Sequence, residues 1–199
     1  MRAKICGITN LEDALWAVDA GVDALGFVFY EKSPRYISPK RAREIIDKLP
    51  PFVARVGLFV ECDAAWVNRI YHDSHLSLCQ IHFEADEAFY EALEVPYIKV
   101  IRAKSREDII MIDRHRYCLV DSFVESYGGE GKRLHLSWFE GVDCSKMILA
   151  GGLNSENVRE LATFGFFGVD VSSGVEKSKG KKDKMKIENF MKAVKRGNI

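Results

Sequence analysis

Several features that would place this chain in other protein classes are missing from its sequence. Its 199 residues carry 29 basic and 29 acidic side chains, so the net charge of zero gives no general attraction for nucleic acid or membranes. No apolar run approaches the ~20 residues of a membrane span. The first residues, Met1–Lys4, lead directly into a predicted strand, with no apolar core of a signal peptide. We therefore expect no nucleic-acid partner, no membrane and a cytoplasmic location.

The cysteines also lack the spacing of a structural framework. They are odd in number, widely scattered and without a Cys-x-x-Cys pair: Cys6, Cys62, Cys79, Cys118 and Cys144. This pattern argues against a disulfide framework or a structural zinc site, and it favours a reducing compartment.

Short β-branched or aromatic runs alternate with helical patterns along the whole chain. The predicted strands are Ala3–Gly7, Ala24–Phe29, Ala54–Val60, Leu76–His82, Tyr97–Arg102, Tyr117–Asp121, Met147–Ala150 and Phe167–Val171. The predicted helices are Leu11–Ala20, Lys40–Leu49, Asp63–Tyr71, Asp86–Leu93, Ser105–Ile112, Asn154–Thr163 and Met185–Lys195, with a weaker pattern at Leu134–Glu140. This alternation is typical of an α/β protein with a parallel sheet.

Eight such units favour a (β/α)8 TIM barrel over an open sheet, and residues 1–199 are expected to form one barrel domain. An open, doubly wound sheet is the alternative. No Gly-x-Gly-x-x-Gly follows the first strand, which weakens a dinucleotide-binding version of that alternative. In a barrel, active groups lie at the C-terminal ends of the strands.

Two reactive side chains end predicted strands. Cys6 ends the first, and its thiol needs a positive neighbour to act as a base at neutral pH. Lys4, two residues earlier, points to the same face of the strand. Asp121 ends the sixth strand, and it would donate a proton at pH 7 only if burial raised its pKa. The alternatives are a buried packing cysteine and a loop-capping aspartate.

Two small-residue turns are candidate phosphate sites. Gly151 and Gly152 follow the seventh strand and precede a predicted helix start near Asn154, where N–H groups favour an anion. Ser172, Ser173 and Gly174 follow the eighth strand, directly after Asp170-Val171. Turns at these two places form the recurrent phosphate site of such barrels.

Other charged or flexible residues are weaker candidates. Arg35, in the loop after the second strand, can bind a carboxylate or lie solvated at the surface. His82, at the end of the fourth strand, is a possible base or a structural residue. Gly129 lies in a glycine-rich loop that is either a lid or a surface loop. The lysine-rich run Lys177–Lys186 is expected to be solvated and to attract anionic substrates weakly.

Six segments together resemble the phosphoribosylanthranilate isomerase family of tryptophan biosynthesis. They are KICGIT at 4–9, DALGFVFYEKSPRYISP at 23–39, RVGLFV at 55–60, GGEGK at 128–132, ILAGGLNSENV at 148–158 and GVDVSSGVE at 168–176. The resemblance implies a (β/α)8 barrel that performs an Amadori rearrangement on a phosphosugar, with no metal or organic cofactor, as a monomer or homodimer.

The resemblance also assigns roles to matching residues. Cys6 would be the general base and Asp121 the general acid, while Arg35 would hold the substrate's carboxylate. Gly151, Gly152 and the segment Asp170–Gly174 would bind the phosphate through main-chain amides. Lys4, His82 and Gly129 would support the site.

The chain departs from the family pattern at two top loops. After the fourth strand it reads His82-Phe83-Glu84-Ala85 where the family has His-Gly-Asp-Glu, and Arg133–Leu136 replaces Thr-Phe-Asp-Trp. Two other functions therefore remain open. One is another phosphosugar enzyme on this barrel, such as indole-glycerol-phosphate synthase, whose usual motif is not found here. The other is a non-catalytic phosphosugar-binding barrel.

Overall fold

A computed structural model describes residues 1–122 and 133–196, and in these ranges eight parallel strands close into a barrel in sequence order. The strands are β1 (Arg2–Cys6), β2 (Ala24–Val28), β3 (Ala54–Phe59), β4 (Leu78–Ile81), β5 (Tyr97–Ala103), β6 (Cys118–Ser122), β7 (Met147–Leu149) and β8 (Gly168–Val171). β1 pairs with β8, with Lys4 opposite Asp170. This closure confirms the (β/α)8 barrel and excludes the open sheet.

Helices connect the strands on the outside of the barrel. They are α1 (Leu11–Asp19), α2 (Pro39–Ile46), α3 (Ala64–Asp73), α4 (Glu87–Glu91), α5 (Arg106–Ile110) and α6 (Lys184–Arg196). The first four begin after Asn10, Ser38, Asp63 and Asp86, whose side chains accept main-chain N–H groups of the first turn. These N-caps explain why the predicted helix starts were close to the observed ones.

Apolar side chains fill the space between the strands and the helices. Ile5, Leu25, Phe27 and Phe59 on β1, β2 and β3 are fully buried. Burial of each such side chain contributes about 1.5–3 kcal/mol. The buried polar residues Lys4 and Gln80 lie within β1 and β4, and the packed strands hold the residues at their ends in fixed positions. No helix in the described part of the chain is long and apolar enough to cross a membrane.

Two predicted helices are wrong in type. The helix expected at Asn154–Thr163 is a turn followed by a 3₁₀ helix at Val158–Thr163. The Asn154 side chain accepts the N–H groups of Glu156 and Asn157, and this competes with helix formation in the first turn. The stretch Leu134–Glu140 contains only a 3₁₀ helix at Leu136–Phe139.

The lysine-rich run after β8 is more ordered than a solvated loop. A short 3₁₀ helix at Ser173–Val175 leads into a hairpin of β9 (Glu176–Ser178) and β10 (Lys181–Lys182), and α6 follows. The prediction of a solvated segment is wrong for Lys182, whose side chain is completely buried.

Candidate active site

A cavity of about 90 Å³ at the C-terminal end of the barrel brings six of the predicted site residues together. The predicted residues that line it are Cys6, Arg35, His82, Asp121, Asp170 and Ser172. They come from β1, β6, β8 and the segments that follow β2, β4 and β8. Larger cavities of about 360 and 810 Å³ lie near the start of the strands and beside β5 and β6. Their linings contain neither Cys6 nor Asp121, so the small cavity is the candidate active site.

Cys6 lies beside a buried ion pair. Lys4 Nζ is 3.0 Å from Asp170 Oδ1, and both side chains are about nine-tenths buried. A Cβ on Gly26 of the neighbouring β2 would lie 2.8 Å from Cys6 Sγ and 3.1 Å from Lys4 Cε, so both side chains pass over this glycine and share one face of β1. Glycine at this position makes room for the sulfur. The thiol therefore lies close to a buried positive charge.

Two opposing effects act on the Cys6 thiol. Burial raises its pKa above the ordinary value, and the charges of Lys4 and Lys182 work against that rise. The ammonium of Lys4 remains available for this role. Burial lowers its pKa, but the Asp170 carboxylate more than compensates, so the pKa of Lys4 stays above its ordinary value. The positive neighbour that a thiolate base requires is present.

Asp121 lies at the end of β6 and lines the same cavity. One carboxylate oxygen, Oδ1, accepts the main-chain N–H of Ser122 at 2.8 Å. Burial raises the pKa of Asp121 to about 6; the Ser122 hydrogen bond opposes this rise and the charge of Asp170 adds to it. The carboxyl thus meets the condition that the sequence set for a proton donor near neutral pH.

His82 is a neutral neighbour of Asp121. Burial lowers the pKa of His82 to about 4, with further contributions from Arg102 and Lys4. Its Nε2 is 3.9 Å from Asp121 Oδ2, which is too long for a hydrogen bond. Its Nδ1 is 3.3 Å from Gln80 Nε2. At pH 7 His82 therefore adds no charge, and it fixes the shape of the wall next to the carboxyl.

Arg35 is held by an acidic partner that the sequence analysis did not assign. Its Nε and Nη2 each donate to one carboxylate oxygen of Glu176 at 2.8 Å, and both side chains are buried. Burial alone would raise the pKa of Glu176, but hydrogen bonds from Arg35 and Lys182 hold it below the ordinary value. Glu176 contacts one edge of the guanidinium and does not contact Nη1. A substrate carboxylate would have to approach from the Nη1 side.

The two predicted phosphate turns lie against each other. A Cβ on Gly174 would overlap the main-chain oxygen of Leu153, so only glycine allows this approach. Gly151 and Gly152 have φ values of 90° and 61°, in the left-handed region that favours glycine. Asn157 Nδ2 donates to the Gly152 carbonyl at 3.0 Å and steadies this turn. The role of both turns in phosphate binding stays a prediction.

One detail of the phosphate prediction changes. The N–H of Asn154 donates to the Asn157 side chain at 3.0 Å, so the expected helix N-terminus does not offer that donor to an anion. The Asp170 carboxylate lies in the ion pair with Lys4, so a contribution of this residue to phosphate binding would come from its main chain. Phosphate binding by Gly151, Gly152 and the segment Asp170–Gly174 stays a prediction.

Gly129 and the rest of the glycine-rich loop at 123–132 lie outside the described residues. Within the described ranges, no group of three or more His, Cys, Asp or Glu side chains is close enough together to hold a metal ion.

Comparison with known proteins decides the family. A family model described as N-(5'-phosphoribosyl)anthranilate (PRA) isomerase matches residues 3–193. This chain belongs to the PRA isomerase family. A curated PRA isomerase from Sulfurovum sp. (strain NBC37-1) is 57% identical over 195 residues, which cover 98% of this chain and 99% of the relative.

Solved structures of the PRA isomerase family share the barrel. The phosphoribosyl anthranilate isomerase of Thermotoga maritima is 41% identical, with a TM-score of 0.88 and coverage of 98% of this chain and 99% of that one. A second crystal structure, 40% identical with a TM-score of 0.84 and the same coverage, is a complex with reduced 1-(o-carboxyphenylamino)-1-deoxyribulose 5-phosphate. A phosphosugar carrying an aromatic carboxylate is therefore a ligand within this family.

Proposed function

We propose that this chain converts N-(5-phosphoribosyl)anthranilate into 1-(2-carboxyphenylamino)-1-deoxyribulose 5-phosphate, with Asp121 as general acid and Cys6 as general base. The observation that carries these roles is that the two side chains line one buried cavity, the carboxyl with a pKa of about 6 and the thiol beside Lys4. The reaction is an Amadori rearrangement, an aldose-to-ketose isomerisation. It needs one proton donor and one proton acceptor on opposite sides of the sugar.

Asp121 acts first in this scheme. Protonation of the ribose ring oxygen by Asp121 accompanies cleavage of the bond between that oxygen and C1, whose electron pair stays on the oxygen. The lone pair of the anthranilate nitrogen moves to C1 and forms a protonated Schiff base. Because burial keeps part of the Asp121 population protonated near pH 7, the chain holds the proton where the ring oxygen needs it.

Cys6 completes the rearrangement. The Cys6 thiolate removes the proton on C2, and the electrons of that bond form a C1–C2 double bond while the nitrogen becomes neutral. The resulting enolamine tautomerises to the ketone at C2. Lys4 stabilises the thiolate before this step because its nearby positive charge lowers the pKa of the thiol. An acid and a base of this kind each supply about 10²–10⁴-fold in rate.

The remaining residues orient the substrate. The main-chain amides of Ser172–Gly174, with those of Gly151 and Gly152, are proposed to bind the phosphate. The Nη1 side of Arg35 is proposed to bind the anthranilate carboxylate, because Glu176 occupies the opposite edge. All of these residues belong to one chain, so a monomer and a homodimer would each contain a complete site.

The first experiment is turnover by the purified protein. We expect it to consume phosphoribosylanthranilate without added metal, measured as loss of the anthranilate fluorescence of the substrate. Activity on the rearranged product alone would instead support an indole-glycerol-phosphate synthase. Calorimetric binding of a phosphosugar without turnover would support a binding protein. Either of these results would contradict the proposed function.

A further inference from the structure

Lys182 is a buried cation in a segment whose other lysines are mostly at the surface. It lies on β10, and its side chain is 0% exposed, whereas the neighbouring Lys181 is exposed. An ammonium group removed from water is strongly destabilising unless it is paired and hydrogen bonded. Its burial therefore requires partners that hold it in place, and the structure shows them.

Four oxygen atoms surround the Lys182 ammonium, and the most distant of them is Ser172 Oγ at 3.5 Å. Nζ donates to the main-chain oxygen of Cys6 at 2.6 Å, to Glu176 Oε1 at 3.0 Å and to the main-chain oxygen of Ser172 at 3.3 Å. Three acceptors match the three N–H groups of a charged lysine. The main-chain N–H of Lys182 donates to Asp13 Oδ2 at 2.8 Å, which fixes the hairpin against α1.

These three acceptors belong to three different parts of the site. Cys6 carries the base, Ser172 begins the turn that is proposed to bind phosphate, and Glu176 holds Arg35. Ser172 Oγ also donates to the main-chain oxygen of Cys6 at 3.1 Å, so the base and the turn are linked twice. The Lys182 ammonium donates hydrogen bonds to all three of these residues and so connects the three parts of the site directly.

We propose that Lys182 is a positioning residue for the isomerisation: it fixes Cys6, the Ser172 turn and the Glu176–Arg35 pair relative to one another, and its charge favours the Cys6 thiolate. This proposal rests on the proposed function, because only a catalytic Cys6 makes its placement matter for turnover.

The charges of Lys4 and Lys182 both lower the pKa of the Cys6 thiol. The charged or titratable groups that face Cys6 or lie across its cavity are Lys4 on β1, Tyr30 and Arg35 after β2, His82 after β4, Asp121 on β6, Asp170 on β8 and Lys182 on β10. Asp170 is negative, so it raises the pKa of the thiol against the charge of Lys4, with which it is paired. Burial raises the pKa of Cys6 and the Lys182 charge lowers it, so the pKa of Cys6 would rise if that charge were lost.

The test is Lys182→Met, which keeps the length of the side chain and removes the charge, compared with Lys181→Met on the exposed side of the same hairpin. The pH dependence of Cys6 alkylation by iodoacetamide is followed at that residue by peptide mass spectrometry. Because the pKa of the Cys6 thiol rises when the charge is lost, we expect ~10-fold slower alkylation of Cys6 at pH 8 in Lys182→Met. Lys181→Met should behave like the wild type.

Turnover of the same variants supplies the second measurement. We expect kcat to fall and KM to rise in Lys182→Met, because the base and the phosphate turn lose their common anchor, and the acid limb of kcat/KM to keep its position. Alkylation does not require isomerase activity, so a wild type without turnover would contradict the proposed function and not the placement of Lys182.

Outcomes that overturn the proposal are equally specific. A folded Lys182→Met whose alkylation profile, kcat and KM all lie within about twofold of the wild type contradicts it. If Lys182→Met does not fold, Lys182→Gln takes its place with the same expectation for Cys6, because its amide is neutral but can still donate a hydrogen bond to the oxygens around it. If neither variant folds, Lys182 acts in stability and the proposal fails.

Discussion

Burial raises the pKa of both reactive groups, but the charges around them differ between the two sides of the cavity. On the side of Cys6, buried charges are paired: Lys4 with Asp170, and Glu176 with Arg35 and Lys182. On the side of Asp121, the neighbouring His82 is neutral, and its Nε2 lies 3.9 Å from the carboxyl oxygen Oδ2. Burial is the largest effect on the pKa of Asp121. A base needs nearby positive charge to exist as a thiolate, and an acid needs desolvation to keep its proton. The contrast therefore matches the two proposed roles.

Removing either reactive group tests the contrast most strongly. We expect Cys6→Ser and Asp121→Asn each to lower kcat by about 10²-fold or more, because each loses one proton-transfer group. Fluorescence-monitored kinetics on the purified variants measures this. Cys62→Ser is the control, since Cys62 is a half-buried thiol that does not line the cavity. Full activity in either variant would remove that residue from the mechanism.

The same carboxyl-to-amide change should have opposite effects on stability at the two sides. The pKa of Asp121 is raised from 3.8 to about 6 on folding, so the folded state binds its proton more tightly and loses stability as pH rises through this window. Asp121→Asn should therefore increase the free energy of unfolding at pH 8 by about 2–3 kcal/mol, at about 1.4 kcal/mol for each pKa unit. The gain should shrink as pH falls toward 4.

Glu176→Gln is the matched change on the other side. The pKa of Glu176 is lowered on folding, so its ionised form stabilises the fold above its ordinary pKa and that contribution is lost as pH falls. The variant should be less stable than the wild type at pH 8. Urea unfolding of both variants measures whether each substitution raises or lowers the free energy of unfolding. Destabilisation by Asp121→Asn at pH 8 would show that the acid side is also held by favourable charge interactions.

A smaller effect is expected where the two phosphate turns touch. In Gly174→Ala the added methyl group would overlap the main-chain oxygen of Leu153 and force the turns apart. We expect KM to rise by ~10-fold, a loss of about 1.4 kcal/mol of binding, with a smaller change in kcat. Steady-state kinetics measures both. Gly165→Ala is the control: its φ is 71°, but no atom lies within 4 Å of the added carbon.

The barrel and the residues at the strand ends were predictable because they depend on local patterns. Apolar runs such as Met147–Ala150 mark strands, and caps such as Asn10 and Ser38 mark helix starts. Closure then brings the strand ends together, so Cys6 and Asp121 could be assigned to one site before their contacts were known.

The partners of those residues were not predictable from local pattern. Lys182 stands among six lysines between Lys177 and Lys186, and nothing in that run marks it as the buried one. Glu176 was part of a recognised motif without an assigned role, because its partner Arg35 is 141 positions away. The turn after β7 was predicted as a helix because helix propensities do not describe side-chain hydrogen bonds to the main chain. Here the side chains of Asn154 and Asn157 each accept the main-chain N–H of the other residue.

The pH dependence of kcat/KM, measured for the wild type and for Asp121→Asn, tests the central claim that a desolvated acid faces a charge-supported base. Turnover requires protonated Asp121 and ionised Cys6, whose pKa lies above that of Asp121. The fraction of enzyme that has both a protonated Asp121 and an ionised Cys6 is therefore constant between the two pKa values and falls on either side of them. The kcat/KM of the wild type should accordingly decrease below about pH 6. In Asp121→Asn this acid limb should disappear, and the residual rate should rise with pH until Cys6 is ionised. An acid limb near pH 6 that persists unchanged in Asp121→Asn would contradict the account.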